Sequence, residues 1–137
     1  MALAELYDEI FAYAKEYIRA NSNYNPYVLK DTPEDGEIFP LVIIREYKDT
    51  LYSENLKKTE QKEYLIYEIE VFSNDNQTAR QEIVKELVGL VNEVFENNLG
   101  FRRTENRPIP YIRDNVSRQY MLFKAIYDKE QHKIYRY

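Results

Sequence analysis

The stretch KEYLIYEIEVFS (62–73), followed directly by NDNQTARQEIVKELVGLVNEVFENNLG (74–100), decides how this chain folds. In its first part polar and apolar residues alternate. Leu65, Tyr67, Ile69 and Val71 face one way and Glu68 and Glu70 the other, the period of a half-buried strand. After residue 75 the spacing switches to that of a helix. Ala79, Ile83, Leu87, Leu90, Val91 and Val94 share one face, and Val84, Val88 and Phe95 widen it. Ser73, Asn74, Asp75 and Asn76 supply helix caps, and Gly100 stands where a left-handed C-terminal cap is expected. At ~1.5 Å per residue, a helix over 76–98 is roughly 35 Å long, enough to cross a small sheet.

Working outward, residues 2–20 predict another helix, with Leu3, Leu6, Tyr7, Ile10, Ala14 and Tyr17 on one stripe. Glu5, Asp8 and Glu9 lie near its start and Lys15 and Arg19 near its end, which suits the helix dipole. Residues 21–37 are full of turn formers and read as loop. Residues 38–48 read as a strand, joined to 62–73 as a hairpin whose long polar tip is 49–61. Strands are also predicted over 101–107 and 116–128, and 132–137 reads as an added edge strand or a mobile tail. The order α-β-β-α-β-β predicts a single α+β domain over 1–137. Its antiparallel sheet has about four strands, with two long helices packed on one face.

Composition narrows the function. The 137 residues include no cysteine, which excludes disulfides, thiolate catalysis and thiolate metal sites and fits a reducing compartment. The chain begins without the basic and apolar pattern of a secretion signal, and no apolar run approaches the ~20 residues of a membrane span. Asn76 and Asn115 head glycosylation-type triplets that read as ordinary polar positions. A net charge of −5 disfavours a protein that coats nucleic acid with its whole surface. Fourteen tyrosines without a tryptophan suit half-buried sheets and interfaces.

Apolar residues occur on both faces of the predicted strands. Val42, Ile44, Tyr64, Ile66 and Phe72 are expected to point away from the helices, with either Tyr120, Leu122 and Ile126 or their alternating neighbours. Burying one such side chain contributes ~1.5–3 kcal/mol, so this face calls for cover. The 21–37 loop, the carboxyl tail and another subunit are the candidates.

The parts needed for catalysis are scarce. His132 is the only histidine and sits in a polar tail, where the ordinary reading is a solvated side chain. Gly36, Gly89 and Gly100 are too scattered for a phosphate loop. Pro33-Glu34-Asp35 followed by Glu46-Tyr47-Lys48 resembles the motif of a superfamily of metal-dependent nucleases, in which two acids hold a divalent ion and the lysine positions water. Here the first acids fall among turn residues, and solvated side chains at a strand end are the simpler reading. Glu68 and Glu70 read as a paired outer face or a negative wall. Arg102, Arg103, Arg107, Arg113 and Arg118 crowd one region and read as salt-bridge donors to a neighbouring strand or subunit, with nucleic-acid contact the sharper alternative.

The order of elements over roughly 38–128 resembles the tail-completion, or tail-terminator, proteins of long-tailed bacteriophages. The resemblance rests on Phe39-Pro40-Leu41-Val42, Tyr67-Glu68-Ile69-Glu70-Val71-Phe72, the long helix ending in Gly100-Phe101-Arg102-Arg103, and Val116-Ser117-Arg118-Gln119-Tyr120. It implies a structural virion subunit, assembled in the host cytoplasm, that forms a ring, usually of six copies, on the last ring of the tail tube. Such a ring stops tube growth and joins the tail to head-completion proteins, and DNA passes through it without specific binding. No catalytic residue, metal or cofactor is expected. On this basis Tyr64, Ile66, Phe72, Arg102, Arg103 and Arg118 are candidate subunit-interface residues. Lys57, Lys58 and Lys62 are candidate tail-tube contacts, and Glu68 and Glu70 candidate lumen-facing acids. A divalent-metal nuclease and a generic intracellular protein-interaction module are the alternatives.

Overall fold

The computed structural model describes residues 3–33, 38–47, 62–74, 77–110 and 115–136. Helix α1 (Leu3–Asn21) precedes the short strand β1 (Tyr27–Leu29) and β2 (Leu41–Glu46). Strand β3 (Lys62–Asn74) leads into α2 (Gln77–Asn92), which continues as a π-helical turn over Glu93–Asn98. The chain ends with β4 (Arg102–Pro108), β5 (Val116–Asp128) and β6 (Lys133–Arg136). The fold is α+β: two helices packed against a mixed, mostly antiparallel sheet of six strands.

The two long strands β3 and β5 form the spine, paired antiparallel from Lys62 opposite Asp128 to Asn74 opposite Val116. β2 pairs antiparallel with the outer edge of β3, and β1 pairs parallel with β2. On the far side of β5, β4 takes residues 119–124 and β6 takes 125–128, so two short strands share one long edge. A sheet of about four strands was expected. The additional ones are β6, which doubles back through a tight turn, and β1. Three residues within a turn-rich loop carry no period to read. β1 is held by registration instead: Val28 is buried opposite Val42, and the Tyr27 N–H donates to the Pro40 carbonyl at 2.9 Å.

Residues of both helices enter one core with one face of the sheet. Leu6, Ile10, Ala14 and Ile18 of α1 and Ile83, Leu87 and Val91 of α2 meet Val42, Ile44, Leu65, Tyr67, Ile69, Val71, Met121, Phe123, Ala125 and Tyr127. The Tyr7 hydroxyl ties α1 to β2 by donating to the Ile44 carbonyl at 2.5 Å. The π-helical turn is wider than an α-turn, and there the adjacent residues Val94 and Phe95 are both fully buried. Its end is closed by Leu99 N–H to the Val94 carbonyl at 3.0 Å and Phe101 N–H to the Phe95 carbonyl at 2.8 Å. Gly100 lies between these two bonds with φ of 79°, the left-handed conformation expected at this cap. It delivers Phe101 into the core, where four aromatic rings converge. Tyr67 stacks on Phe101 (5.3 Å) and Phe95 on Phe123 (5.2 Å), while Phe95 stands edge-on to Tyr67 and Phe101.

One expectation about the sheet is corrected. Val42 and Ile44 lie on the helix-covered face, opposite Val71 and Ile69, and not with Tyr64, Ile66 and Phe72. Residues directly opposite in an antiparallel ladder share a face, so it is Leu41, Ile43 and Arg45, opposite Phe72, Glu70 and Glu68, that turn away from the helices. A one-residue change of register exchanges the two sets.

Candidate interaction surface

The face turned away from the helices is built by alternation. β2 contributes Leu41, Ile43 and Arg45, and β3 contributes Tyr64, Ile66, Glu68, Glu70 and Phe72. β5 contributes Arg118, Tyr120, Leu122, Lys124 and Ile126. At one end Leu41, Ile43 and Phe72 form a small buried cluster closed by Leu29, Ile38 and Phe39. The segment preceding β2 thus covers part of the second face. Toward the other end Ile66 is buried, while Tyr64, Leu122 and Ile126 remain partly exposed.

Between the two ends lies a charged cluster. Glu70 is only 6% exposed. Its Oε1 accepts a hydrogen bond from Arg118 Nη2 at 2.5 Å, and its Oε2 lies 3.4 Å from Arg45 Nη1. The Arg118 guanidinium also sits over the Phe72 ring, 5.3 Å from its centroid. Arg45 reaches outward as well, to Asp31 at 3.3 Å and to the Thr32 hydroxyl at 2.9 Å, and so links the loop after β1 to the sheet. This bond and the Thr32 N–H hold the Asp31 carboxyl below the usual carboxylate range, the backbone bond being the larger cause. Next along the face, the Tyr120 hydroxyl donates to Glu68 at 2.7 Å, and the Arg107 guanidinium covers the Tyr120 ring at 5.1 Å. A carboxylate can be buried this deeply only when charge and hydrogen bonds replace lost water, and two guanidinium groups do so here.

The predicted site residues therefore meet different fates. Tyr64, Ile66, Phe72, Glu68, Glu70 and Arg118 do share this face, but Glu70 and Arg118 are engaged with each other. Glu70, read as a lumen-facing acid, turns its charge into the sheet. Arg102 lies exposed on β4, and Arg103 points to the helix side, where Nη1 donates to Asn92 at 3.0 Å and the backbone N–H to Glu96 at 3.3 Å. Lys62 is exposed at the start of β3, while Lys57, Lys58 and Arg113 lie outside the described residues. So do Glu34, Asp35 and Lys48 of the nuclease-like pattern, whose Glu46 ends β2. Among the described residues, no group of three or more His, Asp or Glu side chains is placed to hold a metal ion. His132 lies exposed in the β5–β6 turn, its Nδ1 3.2 Å from the Tyr127 hydroxyl. Arg45 escaped the sequence reading, although its place two residues beyond Ile43 puts it on the face of Leu41 and Ile43. A cleft of about 480 Å³ also opens beside this sheet, between Val84, Lys85 and Val88 of α2 and the Pro108-Ile109-Pro110 segment.

Tyrosines bind this architecture to pH. Burial, followed by the carboxylates of Glu46 and Asp8, pushes the Tyr7 pKa up to about 12. Burial raises Tyr67 further, and burial plus the bond to Glu68 raises Tyr120. Well below pH 10 these groups are protonated in both folded and unfolded chains, and their contribution is complete. As the pH rises from about 10 toward 12, the unfolded tyrosines ionise first, so stability falls across that window. Urea midpoints measured from pH 9 to 12 should drop steeply above pH 10; a flat profile contradicts the burial of these hydroxyls.

No protein-family model and no curated protein matches this chain.

Proposed function

We propose that this chain is a structural virion subunit that assembles into a ring, terminates the tail tube of a long-tailed phage and joins it to head-completion proteins. The observation that carries the reading is the second face of the sheet. Both helices pack on the opposite face, and among the described residues Leu29, Ile38 and Phe39 cover the Leu41–Ile43–Phe72 end of this second face. Tyr64, Leu122 and Ile126 keep partly exposed apolar surface at the other end, beside a charge cluster that links β2, β3 and β5. Such a half-covered apolar face gains free energy by meeting another subunit. The order of strands and helix that resembles the tail-terminator proteins supplies the rest. In this reading Lys62, with Lys57 and Lys58, contacts the tube, and the partners are further copies of the chain, the tube protein and the head-completion protein.

The test is electron microscopy of the purified full-length chain, alone and mixed with tail tubes, with sedimentation velocity on the same samples. Rings, or tubes with one capped end, are the expected result. A chain that sediments as a monomer throughout and leaves tube ends bare overturns the reading.

A further inference from the structure

Charge is distributed unevenly along the chain and, through the topology, across the sheet. Residues 1–47 hold nine acids against four bases, and residues 99–137 hold nine bases against four acids. The first segment supplies α1, β1 and β2, and the last supplies β4, β5 and β6. These lie at opposite ends of the strand order, in which β1 forms one edge and β4 the other. At the β4 edge every residue of the strand is exposed, and Arg102 and Arg107 lie on the same face as Lys124 and Tyr120 of β5, Arg107 over the Tyr120 ring and 3.6 Å from Glu105. Helix α1, whose Asp8 pairs with Lys30 just after β1, exposes Glu5, Glu9 and Glu16. The large hydrophobic side chains exposed among the described residues are Tyr13, Tyr24, Tyr27 and Tyr47, all in this same acidic segment. A shallow depression of about 280 Å³ lies on α1, lined by Tyr13, Glu16 and Tyr17.

We propose that the arginine-bearing β4 edge of one copy docks on the acidic, tyrosine-bearing α1 side of a second copy. Arginine is suited to both parts of that surface, since its guanidinium pairs with carboxylates and lies flat on tyrosine rings. Tyrosine and arginine are also the residue types enriched at protein interfaces. Because the two surfaces differ, the contact is heterologous: each copy keeps one surface of each kind, and the chain of contacts closes into a ring or runs on. The proposal rests on the ring reading above and names the surfaces that would join. A second copy fits the β4 edge better than nucleic acid does. Glu105 is interleaved among the arginines and the remainder of the chain is acidic, which repels phosphates, whereas another copy brings the matching carboxylates.

The test exchanges the charges. One variant carries Arg102→Glu and Arg107→Glu, the other Glu9→Lys and Glu16→Lys, and circular dichroism checks that each is folded. Sedimentation velocity of the full chain should show each variant weakened in self-association by about a hundredfold. An equimolar mixture should regain the assembled mass, because each surface then again meets its opposite. Wild-type assembly that both variants retain unchanged overturns this pairing of surfaces while leaving the ring reading intact. A wild-type chain that stays monomeric alone and with tail tubes overturns both. Retention of duplex DNA by a monomeric wild type, lost in the arginine variant, overturns the pairing in favour of a nucleic-acid edge.

Discussion

Glu70→Ala is expected to lower the unfolding free energy by about 3 kcal/mol, with the secondary structure at low denaturant unchanged. The carboxylate stands between Arg118 and Arg45 on adjacent strands, β5 and β2, and is itself almost wholly buried. Removing it leaves two guanidinium groups facing each other across β3 with no anion between them. Their side chains are about 30% exposed, so water offsets part of the repulsion, which places the loss at the lower end of the range for a broken buried pair. Arg118→Glu should cost as much or more, because it sets two carboxylates together. It would thus report on folding before it reports on any subunit contact. A double variant, Glu70→Leu with Arg118→Met, should recover most of the loss, since a well-packed apolar pair of similar size replaces an ion pair at little cost. Urea denaturation of the single variants Glu70→Leu and Arg118→Met together with the double variant forms the cycle. Additive losses would show that the cluster is not a coupled unit.

Phe95→Ala is expected to lower stability by about 3–5 kcal/mol. The ring is fully buried and contacts Tyr67, Phe101 and Phe123. These rings come from β3, β5 and the residue after Gly100, so the cavity left behind would touch every layer of the core. Closing it would require the π-helical turn and β3 to move together, and both are held by backbone hydrogen bonds. Phe95→Leu, which keeps much of the volume, should lose clearly less, and thermal or urea unfolding would separate the two. Equal losses would mean that ring geometry matters more than the void.

Periodicity was enough for the long elements. The alternation over 62–73 and the three-and-four spacing over 77–98 have many repeats, and each repeat adds the same small burial gain, so their pattern survives without knowledge of neighbours. β5 was legible over its whole length for the same reason, and Gly100 because few other residues tolerate its backbone conformation. Short segments carry no such repeat. β1 and the parallel pairing of Val28 with Val42 exist because a partner strand offers hydrogen bonds and a buried slot.

The interaction surface divides in the same way. Alternation alone placed Tyr64, Ile66, Glu68, Glu70 and Phe72 together on β3. The partners of these residues depend on inter-strand register, and a shift of one residue would have set Val42 and Ile44 on this face instead of Ile43 and Arg45. Local spacing therefore determined which side chains could share a face. Only the assembled sheet, in which hydrogen-bonded neighbours lie far apart in the chain, brought Arg45 and Arg118 to Glu70 and set the arginine-bearing β4 at the edge opposite β1.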